Sequence, residues 1–331
     1  MPDPSPIFDL ATGYWRSAAF LAAANTGVFE ALADGADTPS GVAARLGTDP
    51  RATHMLLDAC TAMGLLVRHD EAFALTDTAQ MFLVPGSPAY LGSALKWSSD
   101  QYEPWGRLAD AVRRGRPVVD MAAHLGDDPD QTRAFVLGMH ERALGVARGV
   151  VGYLNIGDAR DLLDVGGGPG TYSMLLAQRY ASLRATVLDL PGVIRWTRKL
   201  VGDAGLDDRV SVVAGDAMVG DYGVSTYDAV LFSGVLHQMS EASIRRMFAG
   251  AIRALRPGGV VLISDIMMAP DGSGPLFATL FALQMLLTTA EGGVFRSNAC
   301  ERWLVEAGFV SVTSRVLPPP MPYTVVQGER A

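Results

Sequence analysis

Three places in this sequence combine residue types that suit a nucleoside. The first is the run Asp164-Val165-Gly166-Gly167-Gly168-Pro169-Gly170, which follows Leu162-Leu163 and leads into TYSMLLAQRY. Glycine lets a backbone turn sharply and approach a ligand with no Cβ in the way. The glycines at 166, 168 and 170 alternate, and Thr171 stands where a dinucleotide fingerprint would carry its third glycine. The second place is Asp189 in ATVLDLPGVI, where a carboxylate can accept from both hydroxyls of a ribose. The third is Asp216 in VVAGDAM, within reach of an adenine amino group. Either aspartate alone could equally cap a helix, and a lone glycine turn can serve packing. Together the three outline a pocket for an adenosine with no pyrophosphate requirement.

Such residues converge only if strand ends line up. From Asp158 onward the apolar pattern predicts strands at 161–165, 185–189, 210–214, 228–232 and 259–265, with helical segments between them. That alternation predicts an α/β fold with a parallel sheet, whose ligands collect at the carboxyl ends of the strands. Two last strands, near 310–316 and 323–328, flank LPPPMP and predict an antiparallel hairpin at the sheet edge. Residues 96–155 read as wholly helical, with Trp97, Tyr102, Trp105, Met139 and His140 among the apolar positions. Upstream, Leu10 to Leu32 has helical spacing. Thr38-Pro39 and Asp49-Pro50 each pair a capping residue with a first-turn proline. LLVRHDEAFALT then predicts a short hairpin, so the order is that of a winged helix. The predicted boundaries are 1–95, 96–157 and 158–331.

Charge decides what the winged helix is for. Residues 1–95 hold four Arg or Lys against ten Asp or Glu, and the whole chain of 331 residues has a formal net charge of −8. A DNA reader needs a basic face, so a nucleic-acid partner is not expected, and the module is expected to pair with a second copy of itself. A metabolite-sensing regulator built on this module is the non-enzymatic alternative. No membrane span is expected: PLFATLFALQMLL (275–287) is too short and is broken by Gln284. Cys60 and Cys300 stand alone and far apart, which predicts neither a disulfide framework nor a cysteine metal site. With no signal-peptide pattern in MPDPSPIFDL, the expected location is the cytoplasm.

Residues 158–331 resemble class I S-adenosylmethionine-dependent methyltransferases, with LRPGG (255–259) before a strand as a further shared motif. The whole chain resembles the small-molecule O-methyltransferases typified by plant caffeate and hydroxyindole enzymes and bacterial polyketide-tailoring enzymes. GYWRSAAFLAAANTGVFEAL, LGTDPRATHMLLDACTAMGLL and LLDVGGGPGTYSMLLAQRY carry the resemblance. It implies a Rossmann-like catalytic sheet, an N-terminal helical dimerisation domain, a homodimer, and S-adenosylmethionine as cofactor. It further implies that Gly166 and Gly168 meet the methionine end and that Asp164 orients the loop or the cofactor amine. Asp189 would hold the ribose, Asp216 and Ala217 the adenine, and Leu190 and Ser233 would lie beside the cofactor.

Methyl transfer from a sulfonium is an in-line displacement, so the protein aligns the reactants and makes the acceptor nucleophilic. A phenol titrates near pH 10 and an imidazole near 6.5, so complete proton transfer between them costs about 5 kcal/mol and must be coupled to methyl transfer. His237, in VLFSGVLHQMS beyond the fourth strand, is the candidate base, and Asp265, ending the fifth in VVLISDIMM, is placed to hold its tautomer. Two departures from the family pattern concern the acceptor. Gln238-Met239 follows the histidine where many members have Asp-Trp, and Val294-Phe295-Arg296 follows Gly292-Gly293 where many have an acid and Arg. Glu291 is the candidate replacement acid. Met139, His140, Phe281 and Met285 are the candidate walls for an aromatic acceptor. Carbon or nitrogen transfer, or use of the bound cofactor without methylation, are the alternative enzyme readings, and no metal is expected.

Overall fold

The protein is described here as a computed structural model covering residues 2–331. It divides into two compact units at Asp100/Gln101. The segment 96–157 therefore does not stand apart: its first residues belong to the first unit and the rest to the sheet unit.

The first unit comprises helices α1 (Ser5–Thr12), α2 (Tyr14–Thr26), α3 (Val28–Ala33), α4 (Pro39–Leu46) and α5 (Pro50–Ala62). The hairpin β1 (Leu66–His69) and β2 (Ala72–Leu75) follows, then α6 (Asp77–Leu83) and α7 (Gly92–Asp100). The helix expected from Leu10 to Leu32 is broken, because Gly27 adopts a left-handed φ of 84° and ends α2. The two capping signals are realised: Thr38 and Asp49 accept from the amides of Gly41 and Ala52, each ahead of a first-turn proline. Phe29, Val42, Leu57, Cys60, Leu66 and Phe73 form the core under these helices.

In the second unit α8 (Tyr102–Gly106), α9 (Leu108–Arg114) and α10 (Pro129–Val150) precede the sheet. The segment 96–155, expected to be wholly helical, contains non-helical stretches between its helices. Gly115, with φ of 62°, closes α9, and only a single 3-10 turn (Ala122–Leu125) lies before Asp128, whose side chain caps α10. The sheet comprises β3 (Asp161–Val165), β4 (Arg184–Asp189), β5 (Val210–Ala214), β6 (Tyr227–Ser233), β7 (Leu255–Asp265), β8 (Phe309–Val316) and β9 (Thr324–Arg330). Their order is β5-β4-β3-β6-β7-β9-β8, parallel throughout except for β9, which is antiparallel to both β7 and β8. All seven predicted strands are present within two residues, except that β7 begins at Leu255 rather than 259.

That early start absorbs the LRPGG motif. Leu255 pairs with Tyr227, and the register then shifts so that Val260 pairs with Ala229. Arg256 bonds Asp161 at 2.8 Å and Asp228 at 2.6 Å, tying three strands together at the end of the sheet remote from the glycine loop. α11 (Thr171–Arg179), α12 (Pro191–Asp203), α13 (Glu241–Ala254), α14 (Leu276–Thr288) and α15 (Ser297–Glu306) complete the unit. One apolar layer packs β3, β6 and β7 against α13 and α15 through Phe232, Phe248 and Trp303. The other packs them against α11 through Leu162, Leu176 and Leu231. The strand order reverses between β4 and β6 on either side of β3, so a crevice opens at the carboxyl end of β3.

Candidate active site

The glycine loop fills that crevice. Asp164, at the end of β3, is 1 % exposed. Its Oδ2 accepts from the Ser173 hydroxyl at 2.7 Å, while Oδ1 has no partner among the described residues. Burial pushes its pKa up to about 7, against the pull of the Ser173 bond and with a push from Asp189. The amide of Gly168 donates to Asp189 Oδ2 at 2.6 Å, and Leu190 donates to Oδ1 at 2.7 Å. Thr197 on α12 donates to the Gly168 carbonyl at 2.6 Å. The loop is therefore held rigidly from both sides. Gly168 has φ of 53°, and no atom stands within 4 Å of where its Cβ would lie. An orphaned buried carboxylate oxygen beside backbone that faces open space fits the amino-acid end of an adenosyl cofactor.

Asp216 follows β5 and accepts from the Met218 amide at 2.8 Å. Ala217 is buried, and its carbonyl accepts from Tyr222 Oη at 2.5 Å. Ser233 ends β6 directly opposite Ser264 of β7. Asp189, Asp216 and Ser233 thus occupy the rims of β4, β5 and β6, as their sequence positions implied.

His237 lies in the 3-10 turn Leu236–Gln238 beyond β6, and Asp265 closes β7. His237 Nδ1 is 2.6 Å from Asp265 Oδ1. Asp265 is only 2 % exposed, and its carboxylate also accepts from Ile266 at 2.7 Å and Leu236 at 3.0 Å. An ionised carboxylate only accepts, so Nδ1 of a neutral His237 carries the hydrogen and Nε2 keeps its lone pair. Phe281 on α14 meets the imidazole edge-on at 4.8 Å and stacks on Phe277 at 6.1 Å. Gly293 donates to the His237 carbonyl at 2.9 Å, so the Gly-Gly segment supports the histidine turn through backbone.

The other candidates fare differently. Glu291 is exposed and makes no hydrogen bond or ion pair among the described residues. Met285 is buried one turn beyond Phe281, while Met139 is half-buried on α10. His140 Nδ1 is 2.8 Å from Thr171 Oγ1, so it pins α10 to the start of α11, and burial lowers its pKa. The sequence reading missed Ser173 and Thr197, whose signal is a buried hydroxyl on a helix facing the glycine loop. It also missed what Gln284 does. Trp105 Nε1 donates to Gln284 Oε1 at 2.6 Å, and Gln284 Nε2 donates to Gln101 at 2.8 Å. Gln284, the one amide side chain in a largely apolar helix, anchors α14 beside the histidine. Among the described residues, no group of three or more His, Cys, Asp or Glu could hold a metal ion, and no helix is long and apolar enough to cross a membrane.

A model of the O-methyltransferase domain matches residues 105–310, and one of the O-methyltransferase dimerisation domain matches residues 8–85. The chain belongs to the O-methyltransferase family. It is 35 % identical to 3-hydroxy-5-methyl-1-naphthoate 3-O-methyltransferase of Streptomyces sahachiroi over 99 % of this chain and 96 % of that one. The structure of an O-methyltransferase family protein from Burkholderia thailandensis aligns with TM-score 0.89 at 25 % identity, covering 100 % of this chain and 99 % of that one. The structure of PigF with SAH aligns with TM-score 0.88 at 26 % identity, covering 99 % and 100 %. PigF is an S-adenosyl-L-methionine-dependent methyl transferase of Serratia sp.. The family member described here is accordingly an S-adenosylmethionine-dependent O-methyltransferase of the natural-product type.

Proposed function

We propose that this enzyme methylates a hydroxyl of an aromatic small molecule in secondary metabolism, with His237 as general base. The observation that carries the reading is the 2.6 Å contact between His237 Nδ1 and the buried Asp265 carboxylate. It leaves Nε2 free to take a proton and provides a fixed negative charge to stabilise the imidazolium. The cofactor, when bound, supplies a methyl group on a positively charged sulfur. Asp189 with Leu190 would hold the ribose, Asp216 with Ala217 the adenine, and Gly166, Gly168 and Ser233 the methionine end. Asp164 Oδ1 would accept from its ammonium. The naphthoate relative supports a fused aromatic acceptor, and Phe281 with Met285 offers apolar contact for such a ring. The dimerisation-domain match, together with exposed Ile7, Phe8, Leu10, Tyr14 and Trp15, supports a homodimer through the first unit.

The test is incubation of purified protein with S-adenosylmethionine and a panel of hydroxylated naphthalenes and anthracenes. The expected result is a product heavier by one methylene unit, whose new methyl is shown by NMR to sit on oxygen. A methyl on carbon or nitrogen, or no transfer to any phenol, would overturn the reading.

A further inference from the structure

Between α9 and α10 the chain runs from Arg116 to Asp128 with no helix beyond the single turn Ala122–Leu125. Both ends of this strap are fastened to elements of the candidate site. The amides of Val118 and Val119 each donate to the Leu287 carbonyl at 3.1 Å. Leu287 lies in the last turn of α14, the helix that brings Phe281 to His237. At the other end Gly126 lies directly on Gly192, in the first turn of α12. A Cβ on Gly192 would stand 2.3 Å from the Gly126 Cα and 3.1 Å from the Leu125 carbonyl oxygen. The contact is backbone against backbone, with no side chain that could swing aside.

The contact sits beside the ribose position. Gly192 follows Asp189, which ends β4 and accepts from the Gly168 amide, by three residues. Behind the strap, Thr132 on α10 donates to the Ala123 carbonyl at 3.0 Å, and the Arg133 guanidinium lies 5.7 Å from the centre of the Trp196 ring on α12. Further along α10, His140 bonds Thr171 at 2.8 Å, directly after the glycine loop. The strap and α10 therefore follow the rim from α14, past the start of α12, to the start of α11, beside the crevice at the carboxyl end of β3. Gly192 is not among the glycines with a positive φ, so α12 itself does not call for glycine there. In a helix glycine is less stable than alanine. What the missing Cβ does at this position is admit the strap.

We infer that Gly192 is a positioning residue for cofactor binding: it admits the strap backbone to the edge of the ribose site, and residues 121–126 close that side of the cofactor crevice. The inference rests on the placing of the ribose at Asp189 in the reading above. Non-bonded carbon atoms pack at about 3.5–4.0 Å, so an alanine at 192 must push the strap away by more than about 1 Å. The cover over the ribose side moves with it. The catalytic pair, on β7 and beyond β6, is not touched by the change.

The test uses the full chain, with S-adenosylhomocysteine binding measured by calorimetry and hydrogen exchange of the strap amides followed by mass spectrometry. Gly192→Ala should weaken S-adenosylhomocysteine by about tenfold or more. The KM for S-adenosylmethionine should rise in parallel while kcat at saturating cofactor stays within about twofold, the pattern of lost binding rather than lost chemistry. Gly202→Ala is the control: it lies near the other end of α12, where a Cβ would stand 3.5 Å from Asp207, an ordinary contact, and affinity should not change. In the wild type S-adenosylhomocysteine should slow exchange across 117–128 by about tenfold or more, and Gly192→Ala should lose that protection. Wild-type affinity in Gly192→Ala overturns the inference. So does strap exchange in the wild type that ignores the ligand, a result that decides the matter even if the variant fails to fold. Asp189→Ala separates the two readings. Loss of binding there with none in Gly192→Ala sinks the strap inference alone, whereas full affinity in Asp189→Ala sinks the ribose assignment.

Discussion

Asp265→Asn changes one atom and should disable the base. The carboxylate accepts from His237 Nδ1 at 2.6 Å, Ile266 at 2.7 Å, Leu236 at 3.0 Å and the His237 amide at 3.4 Å. An amide offers one accepting oxygen and one donating nitrogen. With the oxygen kept toward Leu236, the NH2 group faces His237 Nδ1, which must then accept. The proton moves to Nε2 and the base is gone. With the amide flipped, Nδ1–H is satisfied but the NH2 group opposes the Leu236 and His237 amides, and leaving such buried donors unpaired costs about 1–3 kcal/mol. Either way the imidazolium loses a charge-assisted partner, with hydrogen bonds to charged groups contributing about 1.5–3 kcal/mol. A combined loss of about 3–4 kcal/mol corresponds to roughly a 10²- to 10³-fold drop in kcat. The assay is S-adenosylhomocysteine release at saturating cofactor and acceptor, with cofactor affinity measured separately by calorimetry. A variant that turns over within about threefold of the wild type would refute the reasoning, because a loss that small corresponds to under 1 kcal/mol.

Two further predictions concern the cofactor loop. Gly168→Ala adds a Cβ that meets no protein atom within 4 Å but sits on a backbone with φ of 53°. It should cost about 1 kcal/mol of stability, read as a lower urea midpoint, and a larger loss of S-adenosylmethionine affinity. Unchanged affinity would show that the open space beside Gly168 is not the cofactor's. Asp164 has a folded-state pKa of about 7, raised by burial above the ordinary carboxylate value of 3.8. The folded state therefore binds the proton more tightly, and this group's contribution favours folding below about pH 4 and is lost as pH rises toward 7. The ligand-free protein should lose up to about 4 kcal/mol over that interval from this residue, and Asp164→Asn should flatten that part of the profile. An unchanged slope in the variant would contradict it.

The sheet was legible because a parallel strand buried on both faces must be a short apolar run, and runs such as DLLDV and AVLFS are separated by helices with clear breaks. The helical half was less so. Gly115 and the cap at Asp128 interrupt the 96–155 segment, yet its apolar spacing continues on either side. In the site, Asp164, Asp189 and Asp216 were visible because each ends or follows a strand beside glycine or proline. The partnership of His237 with Asp265 followed from the adjacency of two strands. Glu291 is exposed, and its proximity in sequence to Gly292 says nothing of where its side chain points. Thr197 was not legible either, being an unremarkable helical threonine until α12 packs against the glycine loop.

The central claim is that His237 removes the acceptor proton while the rest of the site holds the reactants. Its most direct test is His237→Ala, assayed for S-adenosylmethionine binding and for turnover on the same preparation. Cofactor affinity should stay within about twofold while kcat falls by roughly 10²- to 10⁴-fold, the range ascribed to a positioned base. Full turnover without the imidazole would contradict the claim, and so would a loss explained entirely by failure to bind the cofactor.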